Sequence, residues 1–166
     1  MSFKEINVRE LESPVKMIND GWMLVTAGVE GAYNTMTASW GAMGELWNRD
    51  VAFVFIRPQR YTYEFMEKNE YFSLSFFTPE YKDALKLCGS KSGRDIDKAA
   101  ATGLTPVSDG RTVYFEQAST VIICRKLAYQ DLDPKCFLDA SIEGNYPNKD
   151  YHRVYVGEIV SVLKRG

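Results

Sequence analysis

Apolar residues fall along this chain in short bursts, punctuated by Gly, Pro and charged positions. "GWMLVTAGV" (Gly21–Val29) predicts a strand, and "AYNTMTASWGAMG" (Ala32–Gly44) begins as a strand and loosens into a small-residue loop. Val51–Arg57 is nearly continuous in apolar residues, the pattern of a central strand. In "YFSLSFF" the alternation puts Phe72, Leu74 and Phe76 on one face and Tyr71, Ser73, Ser75 and Phe77 on the other. Thr62–Lys68 predicts a helix, with Thr62 at its cap or first turn and Phe65 and Met66 on its apolar side. Pro79–Leu87 and Asp95–Ala101 predict two further short helices. "TVYFEQ", "STVIICRKLAYQ" and "RVYVGEIVSVLK" predict three more strands, the last with Gly157 inside it as a bulge. Many strands with a few short helices in the middle predict a mainly β fold, and the pattern favours a closed antiparallel barrel. A doubly wound sheet would need regular strand–helix alternation, which is missing.

The length of 166 residues fits one domain spanning 1–166, with no repeat or long linker. Charge is balanced at −2, so the total carries no basic nucleic-acid footprint. The cysteines, Cys88, Cys124 and Cys136, are odd in number and form no CxxC pair. With His152 as the single histidine, neither a metal site nor a disulfide framework is expected, and a reducing compartment fits. "MSFKEINVREL" carries charges where a secretion signal needs an apolar run, and "VAFVFI" is too short to span a bilayer. The expectation is a soluble, cytoplasmic protein without membrane or nucleic-acid partners.

Candidate chemistry starts at "RPQRYT". Arg57 and Arg60 stand at the mouth of an apolar strand, with Tyr61 and Thr62 just after. Two readings are open: a solvated strand end around a turn proline, or an anion site. Guanidinium groups bind phosphate bidentately, and a helix starting at Thr62 adds partial positive charge. "CGSKSGRDIDK" (Cys88–Lys98) places Ser90, Lys91 and Ser92 before a helix, as a second possible anion nest or as a Ser92–Asp95 capping pattern. It lacks Walker A spacing, and no GxGxxG occurs in the chain. "NTMTASW" (Asn34, Thr35, Met36, Thr37, Ala38, Ser39, Trp40) offers amide, hydroxyl and backbone groups to a polar heterocycle, or forms an ordinary polar strand face.

Together these motifs, over about Asn7 to Leu163, resemble the flavin reductase-like FMN-binding proteins, especially the flavoredoxin-like branch. The resemblance implies a split β-barrel, a homodimer, and FMN bound near the dimer interface. Met36, Thr37, Ala38 and Ser39 would then line the flavin ring, with Asn34 and Thr35 in the same strand and Trp40 following as a wall or core residue. Arg57, Arg60, Tyr61 and Thr62 would hold the phosphate and ribityl end, and Ser90, Lys91 and Ser92 a second polar wall. Ser73 and Ser75 stand where many members carry valine and asparagine, so no flavin contact is assigned to that strand. The SxxP motif of two-component reductases is absent, so no dedicated monooxygenase partner is implied.

The implied activity is that of an NAD(P)H:flavin oxidoreductase, or of a flavoredoxin-like electron transfer protein with a possible protein acceptor. NAD(P)H would donate hydride directly to the flavin, with no separate nucleotide fold. A non-catalytic flavin carrier and a barrel for another phosphorylated molecule are the alternatives. No catalytic residue is assigned. His152 is read as a partly exposed histidine opening the last strand, against a role beside the nicotinamide or flavin. Cys88 and Cys124 are read as buried core thiols, against a redox role for Cys88 beside Lys91.

Overall fold

The computed structural model describes residues 3–11 and 13–166. Its strands are β1 (Phe3–Glu5), β2 (Met23–Val29), β3 (Ala32–Ala38), β4 (Gly41–Leu46), β5 (Arg49–Ile56), β6 (Tyr71–Phe76), β7 (Pro106–Ser108), β8 (Val113–Phe115), β9 (Thr120–Asp131) and β10 (Arg153–Arg165). The helices are α1 (Pro14–Lys16), continued by a wider turn over Met17–Gly21, then α2 (Tyr61–Lys68), α3 (Lys82–Ser90) and α4 (Lys98–Thr102). The main sheet is antiparallel in the order β3-β2-β6-β9-β10-β5-β4, with β1 on the far part of β10.

This order explains the barrel. β3 and β4 are the two edges of the sheet, yet only Ser39 and Trp40 separate them in the chain. Three Cα steps reach at most ~11 Å, so the sheet must curl until its edges meet at that link. Among the described residues the edges do not pair, and the result is a split β-barrel, mainly β with short helices. The closed barrel favoured by the strand pattern is therefore corrected to one with an open seam. The seam also corrects the expected loop: Gly41–Leu46 is β4, and only two residues lie between the strands. Small residues at Gly41, Ala42 and Gly44 concealed the alternation there.

Alternate residues of the strands point inward. Met23, Val25, Ala52, Val54, Phe72, Leu74, Ile122, Cys124 and Tyr155 share one buried interior cluster. Gly157 sits at a register shift of β10, as the sequence predicts. A Cβ there would lie 2.5 Å from the Phe72 ring and 2.8 Å from Cys124 Cβ, so only glycine lets the ring reach the backbone. Leu24, Val121 and Ile123 point outward and are covered by Leu85 and Cys88 of α3, Ala99 of α4 and Phe115. Ser73 and Ser75 lie on this covered face: Ser73 donates to the Val113 carbonyl at 2.6 Å, whereas Ser75 Oγ has no partner among the described residues.

The middle of the chain shows two further differences. The helix expected over Asp95–Ala101 starts at Lys98, because Asp97 is its cap and accepts from the Ala100 amide at 3.1 Å. Ser92 instead closes a local turn, accepting from the Arg94 amide at 3.2 Å. The strand expected over Thr112–Gln117 shortens to Val113–Phe115, which pairs with β7.

Candidate functional site

Arg57 follows the last residue of β5, and a turn closed by the Arg60 amide on the Arg57 carbonyl at 3.0 Å returns the chain into α2. Arg60 is the residue before α2, so both arginines flank the helix start. Thr62 lies in the first turn and is buried; its hydroxyl accepts from Asn34 Nδ2 of β3 at 2.8 Å. That bond joins the seam edge to the helix.

The end of α3 supplies the opposite wall. Carbonyls in a helix's last turn lack intrahelical partners and carry partial negative charge. Here they collect cations. Arg60 Nη1 donates to the Gly89 carbonyl at 2.7 Å. Lys98 Nζ donates to the Cys88 carbonyl and to the Thr35 carbonyl, each at 2.7 Å. Lys98 is 6% exposed, and burial pulls its pKa down to about 8. Gly93 presses onto the Asn34 amide so closely that a Cβ would lie 1.9 Å from Asn34 Oδ1.

These walls enclose a cavity of about 460 Å³, lined among others by Asn34, Met36, Arg57, Arg60, Tyr61, Thr62, Ser90, Lys91, Ser92 and Lys98. Asp150 is its one carboxylate. Asp150 Oδ2 accepts from Arg57 Nη1 at 2.7 Å and from Gln59, and the Arg57 guanidinium holds its carboxyl below the usual range. Arg57 Nη2 also donates to the Asn145 carbonyl at 2.9 Å, and the guanidinium lies 5.1 Å from the Tyr146 ring centre.

A smaller cavity of about 150 Å³ shares Met36, Arg57 and Arg60 with the first. Thr37, Ala38, Ser39, Trp40, Phe55 and His152 complete its walls. His152 directly precedes β10 but is 7% exposed, which corrects the expectation of a partly exposed ring. It packs against Trp40 at 5.2 Å and Phe55 at 6.4 Å between ring centres. Burial first, then Arg57, lowers its pKa to about 4, so the ring is neutral at pH 7.

The structure thus gathers thirteen of the fourteen sequence-derived site residues around the two cavities. Thr35 is the one it does not bring there: its hydroxyl meets Thr26 Oγ1 at 2.8 Å, and its carbonyl anchors Lys98. Cys88 is buried and its thiol is pushed up by burial, with Lys98 opposing, which agrees with a core role. Sequence reasoning missed Lys98, Gln59, Gly93, Asn148 and Asp150 in the larger cavity and Phe55 in the smaller. Lys98 ends the "CGSKSGRDIDK" segment, so a signal was present; Asn148 and Asp150 arrive on the long connection between β9 and β10, with no local signal. Among the described residues no cluster of metal-binding side chains occurs, and no helix is long and apolar enough to cross a membrane.

Comparison with known proteins adds independent findings. The family model of the flavin reductase like domain matches residues 16–166. No curated protein matches the chain. Among solved structures, an FMN-binding domain of flavin reductases-like enzyme from Shewanella baltica aligns with a TM-score of 0.71 and 16% identity, over 98% of this chain and 77% of that one. The flavoredoxin of Desulfovibrio vulgaris aligns with a TM-score of 0.67 and 21% identity, over 98% and 76%. An NADH:FAD oxidoreductase of Streptomyces globisporus, in complex with NAD and FAD fragments, aligns with a TM-score of 0.65 and 14% identity, over 87% and 69%.

Proposed function

Because this chain belongs to the flavin reductase like domain family, we propose that it is an FMN-binding oxidoreductase that accepts electrons from NAD(P)H and passes them to free flavin or to a protein acceptor. The observation that carries this reading is the pair of adjacent cavities that share Met36, Arg57 and Arg60, one cationic and one walled further by β3 residues and aromatic rings. Bound FMN would supply the hydride and electron chemistry, and the protein's tasks are to hold, orient and shield it.

The residues present fit that cofactor. Arg57, Arg60, Lys91 and Lys98 face a single carboxylate, a balance suited to a phosphate dianion. Ser90, Ser92 and Thr62 add hydroxyls beside them. At the other end, β3 is a sheet edge, so one row of its backbone groups is left over by β2. Met36 to Ser39 bring that row to the smaller cavity, where a ring with a polar rim needs donors and acceptors. Trp40 and Phe55 would flank that ring.

A single functional domain over 1–166, a homodimer and a cytoplasmic location belong to the same proposal. Dimerisation is supported by an apolar groove of Val15, Ile18, Trp40, Phe55, Leu132 and Tyr146 that adjoins the smaller cavity. Light scattering at micromolar concentration tests it, and a monomer would remove it.

The main test is an anaerobic visible spectrum of the protein with FMN, before and after NADH or NADPH. Bound-flavin bands that bleach rapidly are the expected result. Bands that persist would make the protein a carrier or one fed by a protein donor. Absence of binding would leave a site for another phosphorylated molecule.

A further inference from the structure

The connection between β9 and β10 does more than cover the site. It ends in a buried pair, Tyr146 and His152, whose phenol oxygen and Nδ1 lie 2.8 Å apart. The imidazole is boxed by Tyr146, Trp40 and Phe55, and the Leu132 amide donates to the His152 carbonyl at 3.0 Å. Its position is set by several independent contacts.

The direction of the hydrogen bond follows from satisfying each group. The Tyr146 phenol has one proton, is 4% exposed, and meets no acceptor other than Nδ1 among the described residues. A buried hydroxyl proton needs an acceptor. Tyr146 therefore donates, and Nδ1 accepts. A neutral imidazole accepting at Nδ1 carries its proton on Nε2. Nε2 makes no hydrogen bond within the described residues. The buried side-chain atoms left unpartnered there are Ser75 Oγ and Asp150 Oδ1, and Nε2 is not one of them. Nε2 therefore keeps accessible surface, and His152 is one of the residues that line the smaller cavity.

We propose that Tyr146 is a positioning residue that fixes His152 as its Nε2–H tautomer, so that the smaller cavity presents a neutral donor to an acceptor atom of the bound ring. The chemistry recognised is a carbonyl oxygen or an unprotonated ring nitrogen. A cation or a second donor would be refused there. The neutrality of the ring agrees with this role, because burial and the facing Arg57 and Arg60 oppose protonation more than Asp150 favours it. Burial likewise keeps the proton on the Tyr146 phenol. Only the identity of the ring rests on the flavin reading.

The chain has one histidine, so its ring nitrogens are unambiguous in a long-range proton–nitrogen correlation spectrum of the ¹⁵N-labelled protein. In the free protein at neutral pH we expect a protonated Nε2 and an unprotonated Nδ1. In Tyr146→Phe, which keeps the aromatic packing, the two nitrogen shifts draw together as both tautomers populate. FMN should move Nε2 and leave Nδ1 in place. Protonation on Nδ1, a spectrum unchanged by Tyr146→Phe, or bound FMN that leaves Nε2 unmoved would each overturn the proposal. If the visible spectrum shows no FMN binding, the flavin reading fails, while the tautomer read in the free protein still stands.

Discussion

The larger cavity gathers Arg57, Arg60, Lys91 and Lys98 with the carboxylate of Asp150, whereas the smaller one, which shares Met36, Arg57 and Arg60 with it, is walled further by Ala38, Trp40, Phe55 and a neutral His152. The first end acts through charge, which reaches far, responds to salt and tolerates small displacements. The second acts through shape, excluded water and short directional bonds. A ligand with a phosphate at one end and a ring at the other uses both; the same ligand without its phosphate uses one. Riboflavin and FMN differ in this way, and comparing them separates the two ends.

The largest effect is expected for Arg57→Ala combined with Arg60→Ala. Hydrogen bonds to charged groups contribute about 1.5–3 kcal/mol each, so losing two weakens FMN by about a hundredfold or more. Riboflavin should change by less than about threefold, since it carries no phosphate to pair with the two guanidinium groups. Fluorescence quenching titrations with both ligands measure this. Equal losses for both would mean that the arginines support the fold, through Gly89 and Asp150, and do not hold a phosphate.

Trp40→Ala probes the opposite end. Trp40 walls the smaller cavity and packs on His152. Removing an aromatic wall costs roughly 1–3 kcal/mol, so FMN and riboflavin should both weaken by about tenfold. The ratio of their affinities should stay constant. A change confined to FMN would place Trp40 with the phosphate end and break the division.

The two ends were not equally legible in the sequence. The cationic end is written locally. Arg57, Arg60 and Thr62 lie close together in the chain, and Ser90 to Ser92 are consecutive, so spacing alone groups them. The aromatic end is assembled from β3, β5 and the segment before β10, which are distant in the chain. His152 looked like an ordinary strand-opening residue because its burial comes from Trp40, Phe55 and Tyr146, whose proximity no periodicity reveals. The strand content followed from alternation, but the seam did not: Gly41–Leu46 is too rich in small residues to alternate, and its pairing with β5 gives it strand form. Asp97 displaced the expected helix start because its carboxylate accepts from the Ala100 amide, whereas the Ser92 hydroxyl accepts from the Arg94 amide in a local turn.

A smaller effect, read against pH, sharpens the comparison. Lys98 is protonated below about 8 and loses its charge above it. FMN affinity should therefore fall several-fold from about pH 7 to 9, while riboflavin affinity stays flat. Lys98→Met should remove the slope. Unfolding does not explain such a loss. The folded-state pKa of about 8 lies below the ordinary lysine value of 10.5, so the unfolded chain binds more protons between them and this group's contribution to stability rises with pH there. His152 contributes on the acid side. Its pKa of about 4 lies below 6.5, so stability falls as pH drops through that window, by at most about 3 kcal/mol. Thermal melts across both windows, with and without FMN, separate the two groups.

The smallest effect belongs to Arg94, which straps the Ser90–Gly93 wall across α2. Its guanidinium pairs with Glu64, donates to the Gln59 carbonyl at 3.4 Å and lies 4.6 Å from the Tyr61 ring centre. Glu64 and Arg94 are 45% and 46% exposed, and exposed ion pairs stabilise by about 1 kcal/mol or less. Gly93 seated on the Asn34 amide holds the same loop without the arginine. Arg94→Ala should therefore weaken FMN by no more than about threefold and leave riboflavin unchanged. The change should appear as faster dissociation in stopped-flow displacement, because the loop carries Lys91 and Ser92 but does not build the ring end. If riboflavin dissociates faster by the same factor, the strap supports both cavities, and the boundary between them lies beyond Arg57 and Arg60, on the aromatic side.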